Sequence, residues 1–368
     1  MAGKKGKTRV IGGVDTHGRT HHAAVILMNG RRLADAEFPA TSQGYARLLG
    51  WLREFGRIAS VGVEGTGSYG AGLARYLRVE QVKVVEVDRP DRRARRKAGK
   101  SDPLDAYAAA EAVLAGRAAA VPKARDGRVE AIRALHTARA GAVKARTATL
   151  NQLKAMLVTA PADLREQLSR PGRAAGGIVT ACLRVRPGDG GNADTGTDAV
   201  TVSTKTALRS LARRYRHLSE EIAELDAQLG PLVAAVAPEL IAQRGIGTET
   251  AAQLLATAGD NPDRLHHEAA FAHLCGVAPI PASSGQTRRY RLNRAGDRDA
   301  NRALHMIAVS RLAHDERTRA YAARRTSEGL SKKDILRCLK RYIARDVDRI
   351  LTHGHQPATK PAPTIDNT

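Results

Sequence analysis

Two aspartates, Asp102 and Asp105, stand three residues apart in the stretch GKSDPLDAYAAAEAVLAG (residues 99–116), where the sequence pattern predicts the start of a helix. Residues i and i+3 share one helix face, so both carboxylates could bind one cation. An ordinary alternative is a helix cap, with Asp102 at the N-cap, Pro103 at the first helical position and an acid three residues after the cap. Taken alone, the pair favours the cap, because caps are far commoner than metal sites.

Two further acids close predicted strands: Asp15 in "GVDTH" and Glu64 in "VGVEGTG". A carboxylate at the end of a buried strand is costly unless something pairs with it, and a cation is one such partner. If these strands are neighbours and the helix of Asp102 and Asp105 packs beside them, four carboxylates meet and repel one another, which favours a bound divalent metal. Two Mg²⁺ (or Mn²⁺) ions held by such acids activate a nucleophile and stabilise the leaving oxygen in phosphoryl transfer.

The predicted elements are in the right order to bring these acids together. Asn29-Gly30 is a strong hairpin signal between the second and third strands. An antiparallel three-strand meander followed by alternating helices and strands is the order of a ribonuclease H-like α/β fold, in which the strands of Asp15 and Glu64 are neighbours. The predicted strands cover 9–17, 22–28, 31–38, 60–64 and 82–88, and helices cover 44–55 and 69–79.

The charge of the chain predicts a polyanionic partner. Lys and Arg number 60 against 37 acidic residues, which gives a net charge of +23, and nucleic acid is the usual partner of such a protein. Aromatic residues make up only 3%, so phosphate contacts should outweigh base stacking. No apolar run approaches 18 residues, and the basic N-terminus lacks a secretory h-region. With three widely spaced, reduced cysteines, we expect a cytoplasmic, nucleoid-associated protein without membrane contact.

The segment GTGSYG (residues 65–70) matches the GxGxxG pattern of dinucleotide sites and follows a predicted strand. Three features argue against nicotinamide binding: the domain begins with a hairpin, the chain beyond 128 looks helical, and the charge of +23 has no role in a dehydrogenase. We therefore interpret these glycines as a turn at the strand end.

The chain beyond the first domain reads as mostly helical. Apolar residues follow helical spacing over 128–160 and an a/d heptad pattern over 208–236, which predicts either an intramolecular antiparallel hairpin or a coil between subunits. "RGIGTETAAQLLATAG" at 244–259 suggests a helix-hairpin-helix element that offers backbone N–H groups to phosphate, with a plain helical turn as the alternative. The expected divisions are an α/β domain at 9–125, coiled-coil helices at 128–236 with a Gly-rich loop at 170–200, a mostly α domain at 240–352, and a disordered tail at 353–368.

The segments "GVDTH", "VGVEGTGSYG" and "KSDPLDA" together resemble the RuvC-like DEDD domain of insertion-sequence transposases of the IS110 and IS116 class, relatives of the Piv invertases. "GVAPIPASSGQTRRYRLNRAGDRDANRALH" and "SEGLSKKDILRCLKRYI" resemble the second domain of that family, so the likeness covers nearly the whole chain in order. It implies a ribonuclease H-like, RuvC-type N-terminal domain. The four acids together with the "SSG" segment are its specific signal.

The resemblance implies site-specific DNA recombination, with target choice guided by a structured RNA. We also expect a homo-oligomer, a dimer or tetramer. The resemblance assigns Asp15, Glu64, Asp102 and Asp105 as catalytic metal ligands and a serine as the nucleophile. That serine maps to "ASSG", to Ser284 or else Ser283. A serine hydroxyl needs activation by a metal or a base, and its attack on DNA would leave a phosphoserine link. Because the predicted coiled coil separates the two domains, one subunit's serine could serve another subunit's acids.

Basic residues flank both candidate chemical sites, which favours phosphate binding over an ordinary solvated face. They are Arg92, Arg93, Arg95, Arg96, Lys97 and Lys100 before the acidic helix, and Arg288, Arg289, Arg291, Arg294 and Arg298 after the serine. Four histidines lack a third ligand and are assigned to surface or core: His21, His22, His266 and His267.

Three classes of protein remain open from the sequence. The first is a DNA recombinase that uses the acids and the serine. The second is a RuvC-like nuclease that hydrolyses DNA junctions with the acids alone, and the third is a catalytically silent nucleic-acid-binding copy. The intact set of four acids argues against the third class, and "SSG" with its basic flanks argues against the second.

Overall fold

A computed structural model of the chain shows an N-terminal α/β domain followed by a mostly helical region. The structure describes residues 8–87, 101–169, 174–186, 196–286 and 290–353. By packing, the chain divides into two compact units. The first unit consists of Met1–Glu130, Ala256–Asn301 and Arg337–Thr368, and the second consists of Ala131–Leu255 and Arg302–Leu336. The division into consecutive domains at 9–125, 128–236 and 240–352, expected from the sequence, stays a prediction.

The first unit is built on a five-stranded mixed sheet with the order β3-β2-β1-β4-β5. The central strand β1 pairs antiparallel with β2 and parallel with β4, so the expected neighbourhood of the Asp15 and Glu64 strands is confirmed. The predicted meander is confirmed too, with Asn29-Gly30 in its second turn, between β2 and β3, and Gly30 at φ +85°. The strands are β1 (Arg9–Thr16), β2 (Thr20–Leu27), β3 (Arg32–Pro39), β4 (Arg57–Glu64) and β5 (Val84–Val87).

Helices cover both faces of this sheet. Helices α1 (Ser42–Glu54) and α2 (Ala71–Val79) pack on one face, where Val14 and Val63 lie in a core with Leu48. Thr41 caps α1, because its hydroxyl accepts a hydrogen bond from the Gly44 backbone N–H. Side chains alternate along a strand, so the residues next to Val14 and Val63 face the opposite side of the sheet.

That opposite face is covered by helix α3 (Asp102–Leu114), which packs against Ile11 through Ala106 and Ala110. Gly13 and Gly62 are what let it come close. A Cβ added to Gly13 would overlap the backbone of α3, and one added to Gly62 would lie 2.9 Å from the Ala109 carbonyl oxygen. Small residues on β1 and β4 therefore bring the N-terminus of α3 to the carboxyl ends of the two acid-bearing strands.

Residues 256–264 also belong to the first unit, where they hold the chain that leaves α3. The Asn261 side-chain amide donates to the Pro122 carbonyl oxygen at 3.1 Å, and its oxygen accepts from the Ala124 N–H at 2.9 Å. Lys123 donates to the Ala256 carbonyl oxygen at 2.8 Å, near the end of a helix, where a cation complements the helix dipole. These bonds join segments more than 130 positions apart in the sequence.

Lys123 makes the stability of the protein pH-dependent. Burial, followed by the nearby Arg264 and Arg125, lowers the pKa of Lys123 from 10.5 to about 8. At Lys123 the unfolded chain therefore binds more protons than the folded chain between those values, so the contribution of Lys123 to stability rises as the pH increases from about 8 to 10.5. Across this range the melting temperature of the wild type should therefore gain a few degrees relative to that of Lys123→Met.

An exposed lysine in a helix, Lys144, provides the matched control for this effect. Lys144→Met should leave the pH dependence of the melting temperature as it is in the wild type. An identical rise in Lys123→Met and the wild type would show that another group causes it.

The second unit contains an antiparallel pairing of two long helices, α4 (Arg128–Val158) and α7 (Gly196–Val236). Arg139 forms an ion pair with Asp226, the Arg146 guanidinium lies 5.8 Å from the ring centroid of Tyr215, and Leu153 packs in one cluster with Leu208. Residue numbers rise along one helix as they fall along the other. Helix α7, which contains the heptads, therefore pairs with α4 of the same chain, as in the intramolecular alternative.

The prediction of a loop over residues 170–200 is wrong for much of that range. Helix α6 occupies Ala175–Arg184, and α7 begins at Gly196, while 170–173 and 187–195 lie outside the described residues. Val179 and Cys182 of α6 are buried in the cluster that also contains Leu208. Burial of this short apolar face outweighs the low helix propensity of the glycines that suggested a loop. Between α4 and α6, α5 occupies Ala162–Leu168.

The glycine turn predicted as a helix-hairpin-helix element joins a four-residue helix, α8 (Pro238–Ile241), to α9 (Thr248–Ala258). Gly245 adopts φ +81°, as such a turn requires. The Ile246 N–H already donates to the Gln243 carbonyl oxygen and the Gly247 N–H to the Thr250 hydroxyl. The plain helical turn, the other alternative, accounts for these hydrogen bonds.

The remaining helices are α10 (Glu268–Leu274), α11 (Arg298–His314), α12 (Glu316–Ser327) and α13 (Lys332–His353). Cys182 and Cys275 are buried free thiols and Cys338 is a half-buried one, as expected. Residues 354–368, nearly all of the tail predicted to be disordered, lie outside the described residues. Among the described helices, none has both the length and the apolar character needed to cross a bilayer.

Candidate metal centre

The site is organised around Asp15, the penultimate residue of β1, whose side chain faces α3 and is buried. Burial raises the pKa of Asp15 above 3.8, His17 opposes this shift, and the carboxylates of Asp105 and Asp102 add to it. Ionised Asp15 is therefore costly without a compensating cation.

His17 follows in the turn after β1. Its backbone N–H donates to the Thr20 carbonyl oxygen at 3.0 Å, which holds the His17 backbone at the carboxyl end of β1. Its ring Nε2 lies 3.2 Å from Asp15 Oδ2 and 3.4 Å from Asp102 Oδ1. One ligand atom each from Asp15, His17 and Asp102 lies within 4.8 Å of the others. These three side chains come from the end of β1, the turn after it and the first residue of α3, and they converge on one point.

Asp102 is the first residue of α3 and not its N-cap, so the capping prediction is wrong by one position. Ser101 occupies the N-cap with extended backbone, its side chain makes no capping hydrogen bond, and Pro103 lies in the first turn. The Asp102 carboxylate, 43% exposed, is directed to His17. A carboxylate in the first turn also interacts favourably with the helix dipole, so the negative charge of Asp102 stabilises α3.

Glu64 and Asp105 lie beside this group and not within it. The parallel register pairs Val14 with Val63, which places Asp15 and Glu64 at the next position on neighbouring strands. The Thr16 hydroxyl donates to the Glu64 carbonyl oxygen at 2.8 Å and ties the two strand ends together. Asp105 is buried one turn after Asp102, close enough to raise the pKa of Asp15. All four predicted acids thus belong to one edge of the sheet and the start of α3.

The donor chemistry of this group fits a divalent cation. Carboxylate oxygens and a histidine nitrogen are ligands of such ions at about 2.0–2.2 Å. Two neighbouring ligands of an octahedral ion at that radius are about 3 Å apart, close to the separations measured from His17 Nε2. Asp15, Asp102 and His17 could therefore hold one ion, with Glu64 and Asp105 beside them.

Ser284 lies on a short hairpin of the same compact unit. Strand β6 (Ile280–Pro281) pairs antiparallel with β7 (Tyr290–Arg291), and Ser284 and Ser283 are exposed in the connection between them. Gly285 adopts φ +56°, a conformation that favours glycine, and so turns the chain directly after Ser284. The structure presents this serine to solvent and does not place it within the converging group of Asp15, His17 and Asp102.

Two family models match the chain over more than half of its length. One, for the DEDD domain of IS110 elements and described as transposase, matches residues 12–160. The other, described as transposase IS116/IS110/IS902 family, matches residues 238–323. The chain belongs to the IS110 transposase family. Its DEDD match contains the whole acidic site, and the second match contains Ser284.

A relative within the IS110 group is an uncharacterised 43.6 kDa protein of insertion element IS110 from Streptomyces coelicolor. It is 32% identical to this chain over 138 residues, which is 36% of this chain and 33% of the relative. The aligned segment thus spans a third of the relative's length.

Most of the basic residues predicted to contact nucleic acid in this IS110-family protein fall outside the described residues. These are Arg92, Arg93, Arg95, Arg96, Lys97 and Lys100, together with Arg288 and Arg289. Arg291 is exposed on β7, and Arg294 and Arg298 are exposed after it, close to Ser284 in the sequence.

The histidine assignments of the IS110-family chain are confirmed. His21 is buried and stacks on Tyr45, His22 bonds to Asp35, and His267 caps α10. His17 is the residue that the sequence interpretation missed. It stands inside the quoted motif "GVDTH", two positions after Asp15, and its approach to Asp102 depends on how α3 packs.

The GTGSYG segment of this IS110-family protein is a tight turn at the end of β4. Gly65 adopts φ +67°, and its carbonyl oxygen accepts hydrogen bonds from the backbone N–H groups of Ser68 and Gly70. The parallel part of the sheet contains only three of the described strands, β1, β4 and β5. The interpretation as a turn is confirmed, and these glycines form the turn that follows Glu64 at the end of β4.

Proposed function

We propose that this protein is a DNA transposase that cleaves and rejoins DNA at the ends of its insertion element and at the target. The observation that carries the proposal is the convergence of Asp15, His17 and Asp102 at the carboxyl ends of β1 and β4, in a chain of the IS110 transposase family. Phosphoryl transfer needs closely placed acidic ligands on a rigid support. A sheet edge and the first turn of a packed helix provide such a support.

The N-terminal domain is proposed to be of the ribonuclease H-like, RuvC type. In support, its sheet has an antiparallel meander joined to a parallel pair through the central strand β1. Helix α3 then covers the face on which Asp15 lies. In the proposal, the fold serves to bring acids from β1, β4 and α3 to one edge.

Asp15, Glu64, Asp102 and Asp105 are proposed to hold the divalent metal, Mg²⁺ or Mn²⁺. When bound, such an ion offsets the negative charge that develops on the phosphodiester during transfer. The protein orients the ligands: β1 fixes Asp15, the Thr16 hydroxyl ties the end of β4, and the first turn of α3 directs Asp102. Repulsion among the carboxylates keeps the site selective for cations.

Ser284 is proposed as the nucleophile, with Ser283 as the alternative. Its Oγ forms a bond to phosphorus and gives up its proton, while the bond from phosphorus to one DNA oxygen breaks and that oxygen takes up a proton. The resulting phosphoserine link keeps the bond energy for rejoining. Exposure of Ser284 on a hairpin with Gly285 supports this role, because a duplex must reach the hydroxyl.

The proposed partners are DNA, a structured guide RNA and further copies of the chain in a dimer or tetramer. The net charge of +23 supports a nucleic-acid partner. The basic clusters before α3 and after Ser284 are proposed to bind backbone phosphates on either side of the reacting group. We further propose that the protein works in the cytoplasm on nucleoid DNA.

A trapping experiment tests the serine step. Purified protein, Mg²⁺, guide RNA and labelled DNA that spans the element junction are mixed, denatured and examined for DNA attached to protein. We expect an adduct with the wild type and with Ser283→Ala, and a loss of at least about 100-fold with Ser284→Ala. Cleaved, unattached DNA from Ser284→Ala at the wild-type rate would instead indicate the RuvC-like nuclease that hydrolyses junctions.

A further inference from the structure

We propose that His17 is itself a ligand of the metal through Nε2, so that the site binds a first-row transition-metal ion such as Mn²⁺ more tightly than Mg²⁺. This inference rests on the proposed metal site and adds a nitrogen donor to its four acids. It concerns the identity of the ion, which the acids alone leave open.

The separations around His17 Nε2 fit ligands that share one ion. Protein N–H···O hydrogen bonds are usually about 2.7–3.2 Å long. The distance from Nε2 to Asp15 Oδ2 is 3.2 Å, at the upper end of the hydrogen-bond range, and the distance to Asp102 Oδ1 is 3.4 Å, beyond that range. One N–H also cannot point at two carboxylates from different elements equally well. Ligands around a common ion are separated by about the distances observed.

The backbone around His17 holds the ring in this place. The His17 N–H bonds to the Thr20 carbonyl oxygen in the turn between β1 and β2. Gly18 follows directly, and the Tyr69 ring lies beside it, with its Cε1 atom 3.4 Å from where a Cβ at position 18 would be, an ordinary contact distance. The hydrogen bond of the turn therefore restricts the chain at His17. A ligand on a restricted backbone loses little entropy when it binds.

A nitrogen donor changes which ion the site prefers. Mg²⁺ takes oxygen ligands and retains much of its water, whereas imidazole is a common ligand of first-row transition metals. In the proposed site, His17 provides the nitrogen, and Asp15 and Asp102 provide the oxygens. We therefore expect the ratio of Mn²⁺ to Mg²⁺ affinity to depend on His17.

The test uses the full-length protein without DNA and Mn²⁺ as the probe, so that it does not depend on catalysis. Electron spin-echo modulation from a directly bound ¹⁴N is expected in the wild type and absent in His17→Ala. Mn²⁺ affinity should fall about tenfold or more in His17→Ala, while Mg²⁺ affinity changes less than threefold. In His17→Asp, which replaces nitrogen by oxygen, the ¹⁴N signal should vanish while Mg²⁺ binding is kept.

His22→Ala is the matched control, since His22 lies on the adjacent strand and bonds to Asp35 Oδ2 at 2.8 Å. It should keep both the ¹⁴N signal and the metal affinities. Mn²⁺ binding that is abolished by Asp15→Asn but shows no ¹⁴N coupling in the wild type would overturn the role of His17 alone. If the wild type does not bind Mn²⁺ at all, the proposed metal site fails together with this inference.

Discussion

Replacing Asp15 by asparagine is expected to reduce DNA cleavage at least about 100-fold, because even the residues that support metal ligands typically contribute 10- to 100-fold. Asp15 lies at the centre of the site, with His17 on one side and the first turn of α3 on the other. The measurement is the initial rate of cleavage of labelled junction DNA at saturating divalent metal.

The same substitution is expected to leave the melting temperature unchanged or to raise it. Burial, reinforced by Asp105 and Asp102 against His17, raises the pKa of Asp15 in the folded protein, so its ionised form destabilises the fold at neutral pH. Asparagine removes that charge and keeps the shape of the side chain. Lower activity without lower stability is the signature of a residue retained for function.

Glu37→Gln is the control for Asp15→Asn, since Glu37 is an exposed acid on the outer strand β3. It should retain wild-type cleavage. A cleavage rate for Asp15→Asn within threefold of the wild type would show that Asp15 is not a ligand in the reaction.

Replacing Gly13 by alanine is expected to destabilise the protein by about 3 kcal/mol, at the upper end of typical overpacking effects. The new Cβ would overlap the Ala106 carbonyl oxygen and the Ala110 backbone nitrogen, and it would lie 2.9 Å from the Ala110 side chain. Backbone atoms of a packed helix cannot move aside individually, so α3 must shift as a whole. Urea unfolding of the wild type and the variant measures the difference.

The shift of α3 caused by Gly13→Ala should also reduce cleavage, because Asp102 and Asp105 move with the helix. Gly50→Ala provides the control: Gly50 lies within α1, and apart from the backbone of α1 itself no atom of the described residues lies within 4 Å of where its Cβ would be. Alanine there should stabilise the fold by up to about 1 kcal/mol. Equal stability of Gly13→Ala and the wild type would mean that the approach of α3 is looser than described.

The features that depend on local sequence were predictable. The Asn29-Gly30 hairpin follows from turn chemistry, and the acids at the ends of β1 and β4 follow runs of small and apolar residues that are buried in the sheet. The start of α3 was misplaced by one residue because Ser101 and Asp102 are both good cap residues.

Features that depend on tertiary packing were not predictable. His17 belongs to the site only because Gly13 lets α3 dock, and a histidine near an acid has many ordinary roles in other proteins. Helix α6 contains a glycine pair and is stabilised by burial of Val179 and Cys182. Heptads on α7 carry no information about their partner, which was found only from contacts such as Arg139 with Asp226.

The hydrogen bonds between Asn261 and the chain around Pro122 affect how the two parts of this protein can evolve. The two family matches, 12–160 and 238–323, look like exchangeable modules. Yet the backbone of residues 122–124, which follows α3 in the first match, is hydrogen-bonded by the side chain of Asn261 in the second match. A chimaera that joins the front half of this protein to the rear half of a divergent relative would place unmatched polar groups at that seam. The two halves are therefore expected to evolve as a pair, and compatibility at residues 122–124 and 261 should decide which natural fusions fold.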